Sequence, residues 1–360
     1  MTIATGSHIG IIGGGQLGRM LAMAAAKIGY KTIILDPAEN SPAFEVADKH
    51  IVAKYDDPEA LKELAKSCEV ITYEFENVDV SAVEALEARL PCRPGSNALA
   101  TSQDRLVEKT FFNELGIKTA PFKDITSHED LVSALAEFGG RGILKTRRLG
   151  YDGKGQVRVS DDDPASIEEA AAVAAKTPCI LEGFVPFIRE VSVIAARSPS
   201  GETAIFDLAE NVHREGILFT STIPANVNAQ SVESAESIVD RVLKALEYIG
   251  ILAIEFFLLE DGELIVNEFA PRVHNSGHWT EAACTVSQFE QHIRAVTGQS
   301  LGNTMRHSDC VMQNLLGDEV NNAADILALP QTMLHLYGKA EARAGRKMGH
   351  FTKISPKSGD

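Results

Sequence analysis

Two glutamates open the chemistry of this chain. Residues 251–269 read Ile-Leu-Ala-Ile-Glu255-Phe-Phe-Leu-Leu-Glu-Asp261-Gly262-Glu-Leu-Ile-Val-Asn267-Glu268-Phe. Asp-Gly between two apolar runs is a strong hairpin signal. Folding about Asp261-Gly262 sets Glu255 opposite Glu268, with Phe257, Leu259, Leu264 and Val266 on the same face. Like charges directly opposite are destabilising. In an apolar setting the two carboxyls must share a proton or hold a cation. Hard oxygen ligands suit Mg²⁺, which binds one or two carboxylates together with substrate phosphates. The bland alternative is a solvent-facing strand side with two unrelated acids. The next residues weigh against it. Ala270-Pro-Arg272-Val-His274-Asn275-Ser-Gly-His-Trp279 carries the only tryptophan and more polar donors than a turn requires. It reads as a substrate-activating loop beside a metal.

Two glycine-rich stretches offer phosphate chemistry. Lys145-Thr-Arg147-Arg148-Leu-Gly150-Tyr151-Asp152-Gly153-Lys154-Gly155-Gln156 packs three glycines and four cations between two predicted strands. Glycines let backbone close over a ligand, and Lys and Arg offer charge to phosphates. Lys154 is followed by glycine and not Ser or Thr, so this is no Walker A loop. It reads as a flap over phosphates, against the alternative of a solvated hairpin tip. Near the N-terminus, Gly13-x-Gly15-x-x-Gly18 follows a predicted strand and opens a helix, with Asp36 eighteen residues beyond Gly18. That matches the dinucleotide fingerprint, pyrophosphate on the helix N-terminus and Asp36 on a ribose. An NAD- or FAD-dependent oxidoreductase is therefore a rival reading. Against it, the parallel α/β pattern stops near residue 100, short of a two-half dinucleotide fold.

These residues need elements to hold them. Strands are expected at 8–12, 31–35 and 69–73, with a helix over 19–29. A Pro/Gly/Ser/Asn-rich boundary spans 91–102, followed by a helix over 103–115. Short strands at 142–146 and 156–160 flank the second loop. Helix is expected at 164–176 and 234–248, and mostly strand over 179–213. The pattern after 301 is less regular. The 360 residues are 44% hydrophobic and 23% charged, ordinary for a globular chain with two or three domains. The net charge of -16 and the lack of a basic run argue against nucleic acid and anionic membrane. Five cysteines without a C-x-x-C pair point to a reducing compartment. With no run long enough to span a bilayer and no leader pattern, the expected location is cytoplasmic.

Taken together, Gly13-Gly-Gly-Gln-Leu-Gly-Arg-Met20, Gly150–Gln156, Asn267–Trp279 and Gly345-Arg-Lys-Met-Gly-His350 resemble the ATP-grasp superfamily. Within it they are similar to the N5-carboxyaminoimidazole ribonucleotide synthetases of purine biosynthesis. The resemblance implies a mixed α/β ATP-grasp fold. It would comprise a Rossmann-like N-terminal domain (1–102), a two-lobed ATP-grasp domain (103–300, flap lobe about 120–185) and a small C-terminal domain (301–360). It implies a C–N-forming ligase, commonly dimeric, that uses ATP, Mg²⁺ and bicarbonate to carboxylate 5-aminoimidazole ribonucleotide through carboxyphosphate. By that resemblance Arg105 and Lys145 contact ATP phosphates and Gly150–Gln156 is the flap. Glu182-Gly183-Phe184-Val185 reads adenine through its backbone, and Glu190 takes the ribose. His213, Asn267 and Glu268 close the nucleotide site, and Glu255 and Glu268 carry magnesium. Arg272, His274, Asn275, Lys339 and Arg346 handle bicarbonate and carboxyphosphate. Gly15, Gln16, Leu17, Tyr151, Asp152 and Lys154, with Arg272, Lys339 and Arg346, face the ribonucleotide. The alternatives within the superfamily are a formate-using transformylase and a biotin carboxylase-like enzyme.

Overall fold

The computed structural model describes residues 2–150 and 155–358. The N-terminal unit is β1 (His8–Ile12), α1 (Gln16–Lys27), β2 (Lys31–Asp36), β3 (Lys49–Val52), α2 (Pro58–Ser67), β4 (Val70–Tyr73) and α3 (Val80–Glu87). Its strands are parallel, in the order β3-β2-β1-β4. Ile9, Ile11, Ile12, Ile34 and Leu35 are fully buried, as expected for parallel strands covered on both faces. Helix α1 starts at Gln16, earlier than the expected Arg19. Gly18 allows this: a Cβ there would stand 2.5 Å from the Gly13 carbonyl oxygen, so only glycine lets the first turn pack on the strand end.

Helix α5 (Arg105–Glu114) stands where one was expected over 103–115, and a further helix, α4 (Ser96–Gln103), occupies much of the expected boundary at 91–102. Asp104 separates them. It is extended and caps α5, its carboxylate accepting the Leu106 N–H at 3.0 Å. A second lobe follows: β5 (Phe122–Ile125), α6 (His128–Glu137), β6 (Arg141–Thr146), β7 (Gln156–Ser160), α7 (Pro164–Ala174) and β8 (Cys179–Gly183). Its antiparallel sheet runs β5-β8-β6-β7. Leu131 and Leu135 of α6 and Ala170 of α7 close its core against Leu144 and Leu181.

The largest sheet draws on most of the remaining chain. It comprises β9 (Arg189–Arg197), β10 (Thr203–Ile205), β11 (Ala209–Arg214), β12 (Ile217–Ile223), β13 (Gly250–Leu258) and β14 (Leu264–Ala270), then β15 (Ser308–Leu316), β16 (Thr332–Leu336) and β17 (Lys347–Pro356). The order is β14-β13-β9-β11-β12-β15-β17-β16, with β10 on β9. Helices α8 (Ala229–Ala245), α9 (Thr280–Ala283), α10 (Gln288–Thr297) and α11 (Ala323–Leu327) complete the chain. The segment after 301, weakly patterned in sequence, extends this sheet through β12–β15 pairing. One face of the sheet packs on α8. The other packs on α10, α1 and Trp279, which is fully buried edge-on to Phe206.

Candidate active site

The β13–β14 ribbon sets Glu255 opposite Glu268, as the turn chemistry predicts. The register is reached by another route. Near the turn the pairs are Leu258–Leu264 and Phe256–Val266, one residue out of step, and a bulge at Asn267 restores the pairing at Glu268. A one-residue shift reverses which face a side chain occupies. Val266 and Leu264 therefore join the core under α8 and do not share the glutamates' face as expected. Phe257 lines that face as expected, and Asn267 joins it.

The two carboxyls sit in a cavity of about 490 Å³. Its charged lining includes Arg105, Lys145, Arg158, Glu190, His213, Glu255, Glu268 and Lys347. Its apolar lining is Ile143, Leu218, Phe257 and Phe187, the last two stacked at 4.6 Å and 15°. Burial and the facing Glu268 push the Glu255 carboxyl up. Against burial, Arg105 holds Glu268 low, donating from Nη1 at 2.9 Å. The Asn267 Oδ1 atom is buried with no hydrogen-bond partner. Two facing carboxyls, one pushed above its ordinary range, and an orphaned amide oxygen form a donor set that suits a hard dication.

Beneath this floor lies a buried ion network. Lys145 Nζ donates to Glu182 Oε2 at 2.9 Å, and Lys109 Nζ, fully buried, lies 3.3 Å from the same oxygen. Lys109 also donates to the Asn267 carbonyl at 3.3 Å. Against burial, the two ammoniums hold Glu182 at about 2. Burial lowers Lys145 despite Glu182. Glu108, also buried, accepts the Phe269 N–H at 2.7 Å; burial and Glu268 push it up to about 8. The sequence reading missed Lys109, Glu108, Arg158, Phe187 and Lys347, which are brought together only by long-range packing. The alternation of β17 was a usable signal for Lys347, since it sits next to the expected Arg346.

His274 is held in one tautomer by a polar chain through the sheet. Ser221 donates to Asn211 Oδ1 at 2.7 Å, Asn211 Nδ2 to Ser192 Oγ at 2.9 Å, and Ser192 to Ser276 Oγ at 2.8 Å. Ser276 meets His274 Nδ1 twice, through its hydroxyl at 2.9 Å and its backbone N–H at 3.3 Å, and the N–H makes that nitrogen an acceptor. The His274 Nε2–H then faces Glu255 Oε1 at 3.6 Å. Burial, with Arg272 and Lys347, pushes His274 down to about 3, so it is neutral. Gln288 clamps its backbone at both N–H and C=O. Asn275 lines the cavity while pairing its amide reciprocally with Asn314, at 2.9 and 2.8 Å. His213 pairs with Glu190, which raises its imidazole against burial.

Other expected residues fall elsewhere. Arg272 is held by Glu76 and lies outside the large cavity's lining. Glu76, with Gly150, Arg147 and Glu108, lines a smaller cavity that shares Arg105 and Glu268 with the first. Lys339 donates to the Lys347 carbonyl at 2.7 Å, and Arg346 to the Glu341 carbonyl at 2.9 Å. Neither lines these two cavities. Gln156 does line the large one, and Gly155, at φ 72°, closes the flap where a Cβ would meet Thr146 Oγ1 at 2.7 Å. Arg147 and Arg148 are tethered to Asp104. The flap residues Tyr151, Asp152, Gly153 and Lys154 lie outside the described residues. In the linker, the Gly183 and Phe184 N–H groups bond the Pro121 and Arg141 carbonyls, Val185 is half-buried, and Phe187 reaches the cavity.

The glycine turn at 13–18 is already satisfied. Glu74 accepts the Gly15 N–H and, at 2.6 Å, the Gly18 N–H. Asp36 accepts from Gly14 N at 2.7 Å, Ala38 N, Ser41 Oγ and Tyr55 OH. The Gly14, Gly15 and Gly18 donors of the fingerprint and the carboxylate a ribose would use are all taken. The oxidoreductase reading falls on that geometry. Leu17, expected to face substrate, is buried in the core, and Gln16 is half-buried.

Comparison with known proteins agrees along the chain. Residues 110–289 match the ATP-grasp domain, 7–103 the ribonucleotide synthetase preATP-grasp domain, and 310–360 the phosphoribosylaminoimidazole carboxylase C-terminal domain. The N5-carboxyaminoimidazole ribonucleotide synthase of Brucella melitensis biotype 1 is 61% identical over 99% of both chains. That of Bacillus subtilis is 46% identical over 97% of this chain and 92% of its own. A crystal structure of an N5-carboxyaminoimidazole ribonucleotide synthetase with ADP superposes with a TM-score of 0.95, at 45% identity, covering 99% of this chain and 94% of that one. The Aspergillus clavatus synthase in complex with ADP and 5-aminoimidazole ribonucleotide gives 0.91, at 30% identity, covering 98% and 95%.

Proposed function

The chain belongs to the N5-carboxyaminoimidazole ribonucleotide synthase family of ATP-grasp ligases, and we propose that the Glu255–Glu268 cleft performs the family's reaction with the roles given below. The enzyme catalyses the ATP-dependent conversion of 5-aminoimidazole ribonucleotide to N5-carboxyaminoimidazole ribonucleotide in purine biosynthesis. The observation that carries the site assignment is the facing carboxylate pair beside Arg105 and Lys145, in a cavity also lined by stacked Phe187 and Phe257.

In this reading the adenine lies against Phe187, Phe257, Ile143 and Leu218, with Glu182–Val185 along its edge. Glu190 and His213 take the ribose. Arg105 and Lys145 hold the phosphates, and Glu255 and Glu268, with the Asn267 amide oxygen, hold magnesium. Bound there, Mg²⁺ would offset the negative charge of the phosphates during transfer. A bicarbonate oxygen attacks the γ-phosphorus, the bond to ADP breaks, and carboxyphosphate forms. Arg272 would grip that anion from behind the smaller cavity, whose lining residue Glu76 orients its guanidinium. The His274 Nε2–H, fixed by Ser276, points a neutral donor at the same region. The aminoimidazole nitrogen then attacks the carboxyl carbon, or CO₂ released from it. A C–N bond forms, and phosphate and a proton leave. The flap Gly150–Gln156 would exclude the water that competes for carboxyphosphate. The N-terminal turn, with Lys339 and Arg346, would border the ribonucleotide.

We also read the chain as a homodimer, from the family resemblance, and as cytoplasmic. The five cysteines are free and buried, and among the described residues no helix is long and apolar enough to cross a membrane. The test of the reaction is ADP release. It should require Mg²⁺ and be stimulated only by bicarbonate and 5-aminoimidazole ribonucleotide together. Equal stimulation by formate with glycinamide ribonucleotide would contradict this.

A further inference from the structure

A second group of side chains, away from the carboxylate pair, is left with unmet bonding capacity. Glu281 stands on α9, His335 on β16 and His350 on β17. His335 and His350 are direct partners in the β16–β17 pairing, so their rings stack at 5.4 Å and 17°. One potential ligand atom from each of the three residues lies within 4.8 Å of the others. Glu281 Oε2 is 3.1 Å from His335 Nδ1 and 3.8 Å from His350 Nε2. A tetrahedral ion with bonds of about 2.0–2.1 Å needs ligand–ligand edges of about 3.3 Å.

The second observation is the state of His350. It is fully buried, and its Nδ1 lies 2.9 Å from the Tyr337 hydroxyl. Its Nε2 is buried with no hydrogen-bond partner. If the hydroxyl donates to Nδ1, the Nε2 hydrogen has no acceptor. If Nδ1 donates to the hydroxyl oxygen, Nε2 presents a lone pair towards the Glu281 carboxylate, which a bare site would repel. The second arrangement is that of a metal-bound histidine, whose other N–H is held by an oxygen atom. A cation between Nε2 and Glu281 resolves the conflict.

We propose that Glu281, His335 and His350 bind one transition-metal dication of the zinc class, separate from the magnesium of the carboxylation site. Two imidazoles and one carboxylate are a donor set that zinc accepts, with water in the fourth position. The Glu281 and His335 side chains retain 21% and 12% exposure, which gives the ion a path in. Its effect would be mechanical. It would tie β16 and β17, the latter carrying Lys347, to α9, which follows the 272–279 loop.

The test uses the full chain freed of metal by chelation and titrated with Co²⁺, read by visible absorption, and with Zn²⁺, read by equilibrium dialysis. Wild type and Glu255→Gln/Glu268→Gln should each take up one tight equivalent with a tetrahedral-type cobalt spectrum. Glu281→Gln and His335→Gln, checked for folding by circular dichroism, should bind at least about 10–100-fold more weakly. Zinc should raise the melting temperature of wild type and not of Glu281→Gln. The proposal is overturned if wild type takes up no stoichiometric cobalt. It is equally overturned if uptake is unchanged in both ligand variants, or lost only in Glu255→Gln/Glu268→Gln.

Discussion

The glycine turn at 13–18 and the ribbon bearing Glu255 and Glu268 both promise phosphate chemistry, and they differ in what they leave unbonded. At the turn, Glu74 and Asp36 take the Gly14, Gly15 and Gly18 N–H groups, and Asp36 also binds Ala38, Ser41 and Tyr55. The donors of Gly14, Gly15 and Gly18 are thus committed within the protein. At the ribbon, two carboxyls face each other, Glu255 is pushed up by burial and its neighbour, and Asn267 Oδ1 has no partner. A fold tolerates such unmet capacity where a ligand completes it. The lesson is that the shape of a motif is a weaker guide to its ligand than the bonding its own protein already supplies.

The sharpest way to break this comparison is to neutralise one residue from each region. Glu268→Gln should cut turnover by about 10³-fold or more, with circular dichroism unchanged. Near-normal turnover would remove the metal role. Next in size is the polar chain behind His274. Ser276→Ala leaves only the longer backbone N–H on His274 Nδ1, and kcat should fall about 10-fold with the KM for ATP little changed. Ser276→Thr should restore part of the loss, and a change confined to stability would refute the positioning role. On the other side, Asp36→Asn should leave ADP release nearly unchanged and cost about 1–3 kcal/mol of stability in urea unfolding. A large rise in KM for ATP would reopen Asp36 as a nucleotide ligand.

The smallest effect concerns Glu108. Its folded carboxyl is raised to about 8, against about 4.3 unfolded. The folded metal-free chain therefore binds more protons between these values, and this group's contribution declines as pH rises through that window. Glu108→Gln removes the decline. The variant should gain melting temperature relative to wild type at pH 8.5 compared with pH 5. An identical difference at both values would show that Glu108 does not carry the burial penalty assigned to it.

The same contrast explains what could be read from the chain. The facing glutamates were legible because turn chemistry and period-two alternation are local. The bulge at Asn267 was not, since no residue type announces it, and it turned Val266 and Leu264 away from the site. Helix α4 was not legible either, because Ser96–Gln103 falls in a Pro/Gly/Ser/Asn-rich stretch; Asp104 ends it, capping α5 and gripping Arg147. Trp279 and Leu17, placed near the chemistry by their motifs, are core residues. Lys109 carries no local signal at all. Its importance comes from meeting Glu182 and the Asn267 carbonyl across the fold.

The most direct test of the central claim is nucleotide-dependent Mn²⁺ binding, followed by electron paramagnetic resonance in the presence of ADP. Wild type should hold Mn²⁺ more tightly with ADP than without, and below about pH 7 should release protons as it binds, because a cation displaces the proton that the raised Glu255 carboxyl holds there. Glu255→Gln and Glu268→Gln should each lose the ADP-dependent increment while still binding ADP. If both variants keep that increment at wild-type affinity, the metal is not held by the facing pair.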